Sequence, residues 1–367
     1  MAFKTSIGAL LFGALLFGVH AQPATPRPPK QYDVVKLAEG VHAFVWKNAL
    51  QNPIEGNALF IINEKDVVVV DTALFEDSAR LMTAELKKLT PLPVRYVINT
   101  HWHDDHHGGN ALYKELWPGA EIISHRDTRA DIIDRTYATR VKNIARVDEQ
   151  LAKFERWIAQ GKDDDGKAID EARRKRIDDV TAFYRESGPK LRALREMPPD
   201  VTMTDLMVIE RGSRRIEIRW LGLGNTRGDV VVFLPRERIV ASGDLFVLPI
   251  PFAFGSYYEH WVDTLGRLDA LEADVILPGH GPIQRDRVAL REVRSLLGAF
   301  VGEVKKATAD GLSLEETRKR VALTDWREKF AGADQDRQRA FGAFVLDAAM
   351  ERLYRQAKGE ADPPPQN

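Results

Sequence analysis

The segment that most restricts this chain reads Asn99-Thr100-His101-Trp102-His103-Asp104-Asp105-His106-His107-Gly108-Gly109-Asn110. Four of the nine histidines, with two aspartates, fall in the seven residues from His101 to His107. They follow Val94–Ile98 directly, a run whose β-branched and aromatic residues predict a strand. So many polar donors cannot be buried as ordinary core. The fold must therefore bring a strand end and a tight turn together around something that satisfies them. In extended backbone, residues two apart share a side, which groups His101 with His103. The turn that follows can aim Asp105 and His106 at a second position nearby. Imidazole nitrogen and carboxylate oxygen suit zinc, and two adjacent ions are the arrangement in which a bridging water loses its proton near neutral pH. Thr100 and the Gly108-Gly109 pair frame a specified turn rather than a low-complexity tract.

Composition narrows the chemistry further. Cysteine is absent, which excludes a disulfide scaffold, a thiol nucleophile and thiolate-held metals. The 53 Lys+Arg balance 54 Asp+Glu, a net charge of -1. That charge gives no field for nucleic acid or an anionic membrane surface, so the expected partner is a small-molecule substrate. Residues 1–21 carry Lys4, an uncharged apolar run from Ile7 to Val19 and a Val19-His20-Ala21 cleavage site. This is the pattern of a signal peptide too short to span a bilayer. It predicts a periplasmic or secreted protein with no stable membrane anchor after cleavage. Residues 22–31, with four prolines, read as a linker.

From Tyr32 the chain becomes β-rich. Val41–Trp46, Ala58–Ile62, Val67–Val70, Val94–Ile98 and Glu121–Ser124 are apolar or alternating, bounded by turn residues. Asp77–Leu89 has helical spacing, with Leu81, Leu86 and Leu89 expected on its buried side. A second β-rich block runs from Val201 to Leu277 and contains Arg215–Leu221, Val230–Leu234, Ile239–Ala241 and Val275–Leu277. Between the blocks, apolar positions 137, 141, 144, 147, 151, 154 and 158 step as a helix requires. A second helical run carries Ile169, Ile177, Val180 and Tyr184 and is expected to stop near Gly188-Pro189. Together they predict a charged helical hairpin, with Arg173–Arg176 as a solvated face. From Arg285 the chain reads helical again, with a capping box at Ser313 and Glu316. Phe341, Val345 and Met350 form an apolar face that could pack internally or pair two copies. No chemistry is expected in this region.

The pattern His-x-His-x-Asp-His closing a strand resembles the signature of the metallo-β-lactamase superfamily of metal-dependent hydrolases. Asp71 after Val67–Val70, the Gly222–Asp229 segment, Ser242-Gly243-Asp244 and Pro278-Gly279-His280-Gly281 agree in order and spacing. The resemblance covers roughly residues 32–285. It implies an α/β fold, a four-layer αββα sandwich with the metals in a cleft at one edge. On this chain that means a hydrolase domain over 32–285, a helical insertion at about 128–197 and a C-terminal helical extension over 286–362. By the same resemblance, His101 and His103 are ligands of a first zinc. Asp105, His106 and His280 are ligands of a second, and Asp244 bridges both. The nucleophile is a hydroxide between the metals, oriented or deprotonated by Asp105, while Asp71 orients ligands through hydrogen bonds.

One departure stands out. Where the family places a third histidine ligand for the first metal, this chain has Asn225, whose neutral amide oxygen is a weaker donor. The first position could fill weakly through His101, His103, Asp244 and Asn225, or load only with substrate or at high metal concentration. Alternatively, a single metal works on Asp105, His106 and His280. His107, His125 and His260 are read as non-ligands, His125 as structural or near the cleft and His260 as packing. The aromatic stretch Phe246–Trp261 is either an apolar wall for the substrate or a satellite core. Members of the superfamily hydrolyse β-lactams, thioesters, lactones, sulfate esters and phosphodiesters. A bridging Asp244 matches the general hydrolases better than the β-lactamases, and the expected reaction is cleavage of an ester, thioester, lactone or amide. The alternatives are a β-lactamase or a non-catalytic metal- or ligand-binding protein on the same scaffold.

Overall fold

The computed structural model describes residues 31–47 and 55–360. The segments expected to be a signal peptide and, apart from Gln31, a linker lie outside the described residues. Seven strands, β1 (Tyr32–Ala38), β2 (Val41–Trp46), β3 (Ala58–Ile62), β4 (Val67–Val70), β5 (Val94–Ile98), β6 (Glu121–His125) and β7 (Val201–Met203), form one sheet in chain order. A second sheet has the order β12-β11-β10-β9-β8, from β8 (Leu206–Arg211), β9 (Arg214–Trp220), β10 (Val230–Leu234), β11 (Ile239–Ala241) and β12 (Val275–Leu277). Pairing in the first sheet is antiparallel up to β4 and parallel from β4 to β7; in the second, only β11 and β12 run parallel.

Strand β4 shows why the layers stack. Its four valines are all buried, and alternate side chains serve opposite faces of the sheet. Val68 and Val70 join a core between the two sheets, while Val67 and Val69 join another under the Glu76–Leu89 helix. Strand β10 repeats the device: Val230, Val232 and Leu234 face the inter-sheet core, and Val231 and Phe233 face helices on the far side. A strand apolar on both faces has to be covered on both. The result is the four-layer αββα sandwich.

Several helical expectations change on inspection. In Glu76–Leu89 the buried side is Ser78, Ala79, Met82, Thr83 and Leu86, whereas Leu81 and Leu89 are 39% and 38% exposed. Small residues win this face because Gly109 packs close against Ala79. The hairpin comprises Tyr137–Gln160 and Glu171–Arg192, with Val147, Phe154, Ile177, Val180 and Tyr184 at its seam. Tyr137 and Val141 lie beyond the seam and are exposed. The second helix runs through Pro189, because a proline in the last turn forfeits only one intrahelical bond. His260 is exposed rather than packed. At the C-terminus the capping box forms, and Phe341, Val345 and Met350 are buried within the chain, in the core on the outer face of the second sheet. Among the described residues, no helix is long and apolar enough to cross a membrane.

Candidate metal centre

Parallel neighbours β4 and β5 end together, with Val70 opposite Ile98, as do β11 and β12, with Ala241 opposite Leu277. The segments beyond these four ends carry Asp71, His101–His107, Asp244 and His280. Ligand-bearing loops therefore converge at the carboxyl ends of strands, as in open α/β sheets generally. The Val230 amide donates to the Thr100 carbonyl at 2.9 Å, joining the second sheet to the histidine turn. Asn99 and Asn110 exchange side-chain hydrogen bonds of 3.0 and 2.8 Å and lock that turn from behind.

Six predicted residues meet there. His106 Nε2 lies 3.4 Å from Asp105 Oδ2, 3.3 Å from Asp244 Oδ1 and 3.2 Å from His280 Nε2. His280 Nε2 is 3.0 Å from Asp105 and 3.4 Å from Asp244. His101 Nε2 faces Asp244 Oδ2 at 3.7 Å and His103 Nδ1 at 2.9 Å. Donor atoms of His101, His106 and Asp244 form one cluster able to hold a cation, and those of Asp105, His106 and His280 form a second. His103 adjoins the first cluster through His101.

This donor set fits divalent cations. Ring nitrogens directed at one another repel unless a proton or a metal lies between them, and Asp244 Oδ1 is buried without a hydrogen-bond partner. Glycines leave the room: a methyl group at Gly56 would sit 2.5 Å from His106 Cε1, and one at Gly279 would collide with Asp244 Oδ1.

Charge follows the geometry. Burial alone would depress His280, but Asp244 and Asp105 raise it to about 9. His106 likewise rises well above the imidazole range against its burial, through Asp105, Asp244 and Asp71. Burial works to raise Asp105 and Asp244, yet their histidine neighbours hold both well below the carboxylate range. Burial, reinforced by the neighbouring His106, keeps His101 well below its usual value. Burial also pushes His103 down to about 4.

Asp71 organises the cluster from below. It takes a left-handed backbone conformation, φ 61°, that a non-glycine residue seldom adopts. Its Oδ1 accepts from the Thr100 amide at 2.8 Å, and its Oδ2 accepts from the Thr100 hydroxyl and from His106 Nδ1, both at 2.8 Å. With its one proton directed at Asp71, the Thr100 hydroxyl accepts from His101 Nδ1 at 3.0 Å. One carboxylate thus places a proton on the outer nitrogen of His101 and of His106, so that each Nε2 faces the cluster, that of His106 as a donor to a cation once its own proton is displaced.

The remaining candidates resolve as follows. His107 donates Nε2–H to the Trp102 carbonyl at 2.9 Å and faces away from the cluster. His125 caps the following helix, its Nδ1 accepting from the Asp127 amide at 3.1 Å, and stacks on Trp220. In the aromatic stretch, Tyr258 and Trp261 are core, while Phe252 reaches the His103 ring at 5.9 Å. Asn225 is buried, and its Nδ2 donates to the Phe252 carbonyl at 2.5 Å.

Four further side chains, none of them assigned a role from the sequence, support these loops. Asn57 accepts from the Trp46 amide at 3.0 Å and donates to the Pro278 and Gly281 carbonyls, each at 2.9 Å, which fixes the His280 loop. Arg140, on the first hairpin helix, grips Asp104 through two nitrogens and Glu196 through a third. Arg135 stacks over Trp102, and Arg227 pairs in bidentate fashion with buried Asp131 at 2.9 and 2.8 Å.

A family model described as the metallo-beta-lactamase superfamily matches residues 52–280, well over half of the chain. The chain belongs to the metallo-β-lactamase superfamily. Membership and the clustered metal donors together support a metal-dependent hydrolase. Among curated proteins it is similar to a linear primary-alkylsulfatase of a Pseudomonas species, 22% identical over 70% of this chain and 48% of the relative. The chain thus spans about half the length of that relative. It is also similar to a metallo-beta-lactamase type 2 of Elizabethkingia meningoseptica, 20% identical over 78% of this chain and 93% of that protein. Among solved structures, a metallo-beta-lactamase from Pontibacter korlensis aligns with a TM-score of 0.49 at 19% identity, covering 73% of this chain and 99% of the other.

Proposed function

We propose that this chain is an exported zinc-dependent hydrolase that cleaves an ester, thioester, lactone or amide bond in a small-molecule substrate. The observation that carries the reading is Asp244. Its Oδ2 addresses His101, while its Oδ1 addresses His106 and His280. A carboxylate divided between two nitrogen groups suits a pair of cations. Zinc, when bound, supplies Lewis acidity and a water that ionises near neutral pH. Asp105, His106, His280 and Asp244 would hold one ion. His101, His103 and Asp244 would hold the other, with Asn225 as a weak neutral donor.

Two carboxylates face the former position and one faces the latter, so the His101 position is the weaker. Asn225 has an uncommitted oxygen to offer this role. The Phe252 carbonyl can only accept, so the nitrogen of the amide must face it, and Oδ1 is left buried without a partner. The Asp105 side chain is 19% exposed, against 5% or less for His106, Asp244 and His280. It is therefore the carboxylate that an incoming water reaches, to orient it and take its proton. The signal-peptide reading of residues 1–21 places this chemistry in the periplasm or outside the cell.

The test begins with zinc counted by mass spectrometry on protein purified without chelators. Hydrolysis of p-nitrophenyl acetate, p-nitrophenyl sulfate and a chromogenic cephalosporin follows; the two relatives motivate the last two. Two zinc ions per chain, and ester cleavage abolished by His280→Ala, are the expected results. Protein that takes up no zinc from excess, or cleavage indifferent to His280→Ala, would overturn the reading.

A further inference from the structure

The C-terminal helices were expected to carry no chemistry, yet they hold the loop that faces the His101–His103 position. Helix Gln335–Ala340 continues into a wider-turned segment, Phe341–Asp347, and then into Ala348–Ala357. In the wide segment two carbonyls take bonds from outside the helix. Phe344 accepts from the Ala253 amide at 3.1 Å, and Val345 takes a long share, at 3.4 Å, of the Tyr258 hydroxyl proton that goes chiefly to the Ala253 carbonyl at 2.9 Å. Arg352 donates to the Gly255 carbonyl at 2.8 Å. The Phe344 ring packs edge-on against Phe252 at 5.2 Å, and Phe252 meets His103 at 5.9 Å, also edge-on. Both ends of the loop are tied to Asn225, through the Phe252 carbonyl at 2.5 Å and the Ser256 hydroxyl at 3.4 Å.

We propose that the C-terminal helices, through Phe344 and Arg352, position the 252–256 loop and thereby set the Asn225 carbonyl and the His103 ring at the first metal position. The inference rests on the two-position reading above and adds to it a device that governs the weaker position. The structural logic is direct. Among the described residues the Asn225 amide nitrogen donates to acceptors on this loop, and the loop is tied to the C-terminal helices at Ala253 and Gly255, with the Tyr258 hydroxyl also on the Ala253 carbonyl. A neutral donor gains little from charge, so its contribution depends on being held in place. Phe344 and Arg352 are positioning residues; neither touches the donor atoms.

The experiment uses the zinc-loaded full-length protein, stripped by chelators of graded strength while bound zinc is counted by mass spectrometry. His103→Ala and His280→Ala identify which ion is lost first. In Phe344→Ala and in Arg352→Met, the ion that His103→Ala removes should be released at least about tenfold more readily, the scale of lost ligand support. The other ion should stay within about threefold of wild type. Val304→Ala, buried in the same apolar cluster, should lower thermal stability without changing either release step. The proposal falls if Phe344→Ala and Arg352→Met keep wild-type release of both ions, or if Val304→Ala loosens the first ion equally. Should Phe344→Ala fail to fold, Arg352→Met decides alone. A wild-type chain that holds one ion, unaffected by His103→Ala, would instead overturn the two-position reading, and this inference with it.

Discussion

Replacing Asp71 by asparagine tests the tautomer argument with almost no change of shape. The carboxylate accepts three hydrogen bonds of 2.8 Å, from the Thr100 amide, the Thr100 hydroxyl and His106 Nδ1. An amide offers one acceptor and one donor, so one of two conflicts must arise. If the new NH2 faces the Thr100 amide, two donors oppose each other and a buried backbone N–H loses its acceptor, at a cost of about 1–3 kcal/mol in stability. If it faces His106, the ring must accept at Nδ1 and carry its proton on Nε2, the nitrogen directed at Asp105, Asp244 and His280. The Thr100 hydroxyl is then free to turn toward His101 Nδ1 and shift that ring in the same sense. The second arrangement should win, since a ring can exchange tautomers and a backbone N–H cannot. Losing a charge-assisted bond forfeits about 1.5–3 kcal/mol, and 1.4 kcal/mol is a factor of ten. Zinc should therefore bind Asp71→Asn about 10–100-fold more weakly, at both positions, with little change in melting temperature. Chelator competition and a thermal melt at one pH measure both quantities. A variant with wild-type affinity and wild-type melting temperature would refute the reasoning.

Four further outcomes are expected. Gly279→Ala puts a methyl group against Asp244 Oδ1 and 2.7 Å from the Gly243 backbone; neither can retreat cheaply, so zinc should be lost and the melting temperature lowered. Gly298→Ala, whose new methyl meets nothing closer than 4.0 Å, should be neutral or stabilising by up to about 1 kcal/mol, which a melt will check. The pH dependence carries a definite sign. With His280 raised to about 9 and His106 raised well above 6.5, zinc must displace protons from both below that range. Apparent affinity should climb with pH, up to about tenfold per unit for each proton displaced, and flatten above about 9. The metal-free fold should show the opposite trend. A raised histidine stabilises below its unfolded pKa of about 6.5, and that contribution disappears as pH rises through the folded value. Melts of stripped protein between pH 6 and 10 would settle it, and a stripped form that gains stability over that interval would contradict the assigned partners.

Much of this arrangement was legible in the residues. Runs such as Val67–Val70 and Val230–Leu234, apolar throughout and closed by turns, announced strands covered on both faces. The histidine turn announced the metal cluster because its donors are adjacent in sequence. What stayed hidden depends on distance. Asn57 holds a loop more than two hundred residues away, and no local pattern marks it. Arg140 reads as one more charge on a charged helix until Asp104 is seen beside it. The buried face of Glu76–Leu89 was misjudged because large leucines outweighed Ser78 and Ala79, whose smallness is what lets the glycine turn approach. The C-terminal helices looked inert because their contribution passes through backbone carbonyls, which composition does not encode.

The hairpin's anchorage carries a mechanical consequence. Its first helix, Tyr137–Gln160, has 24 residues, a rod of about 36 Å at the rise of an α-helix. Arg135 and Arg140 grip Trp102 and Asp104 at one end of that rod, while the Gly161–Gly166 turn crowns the other. A rod gripped at one end is, geometrically, a pointer. A tilt of a few degrees at the pivot moves its tip by a few ångströms, so a reporter at the far turn would amplify rearrangements too small to detect where they occur.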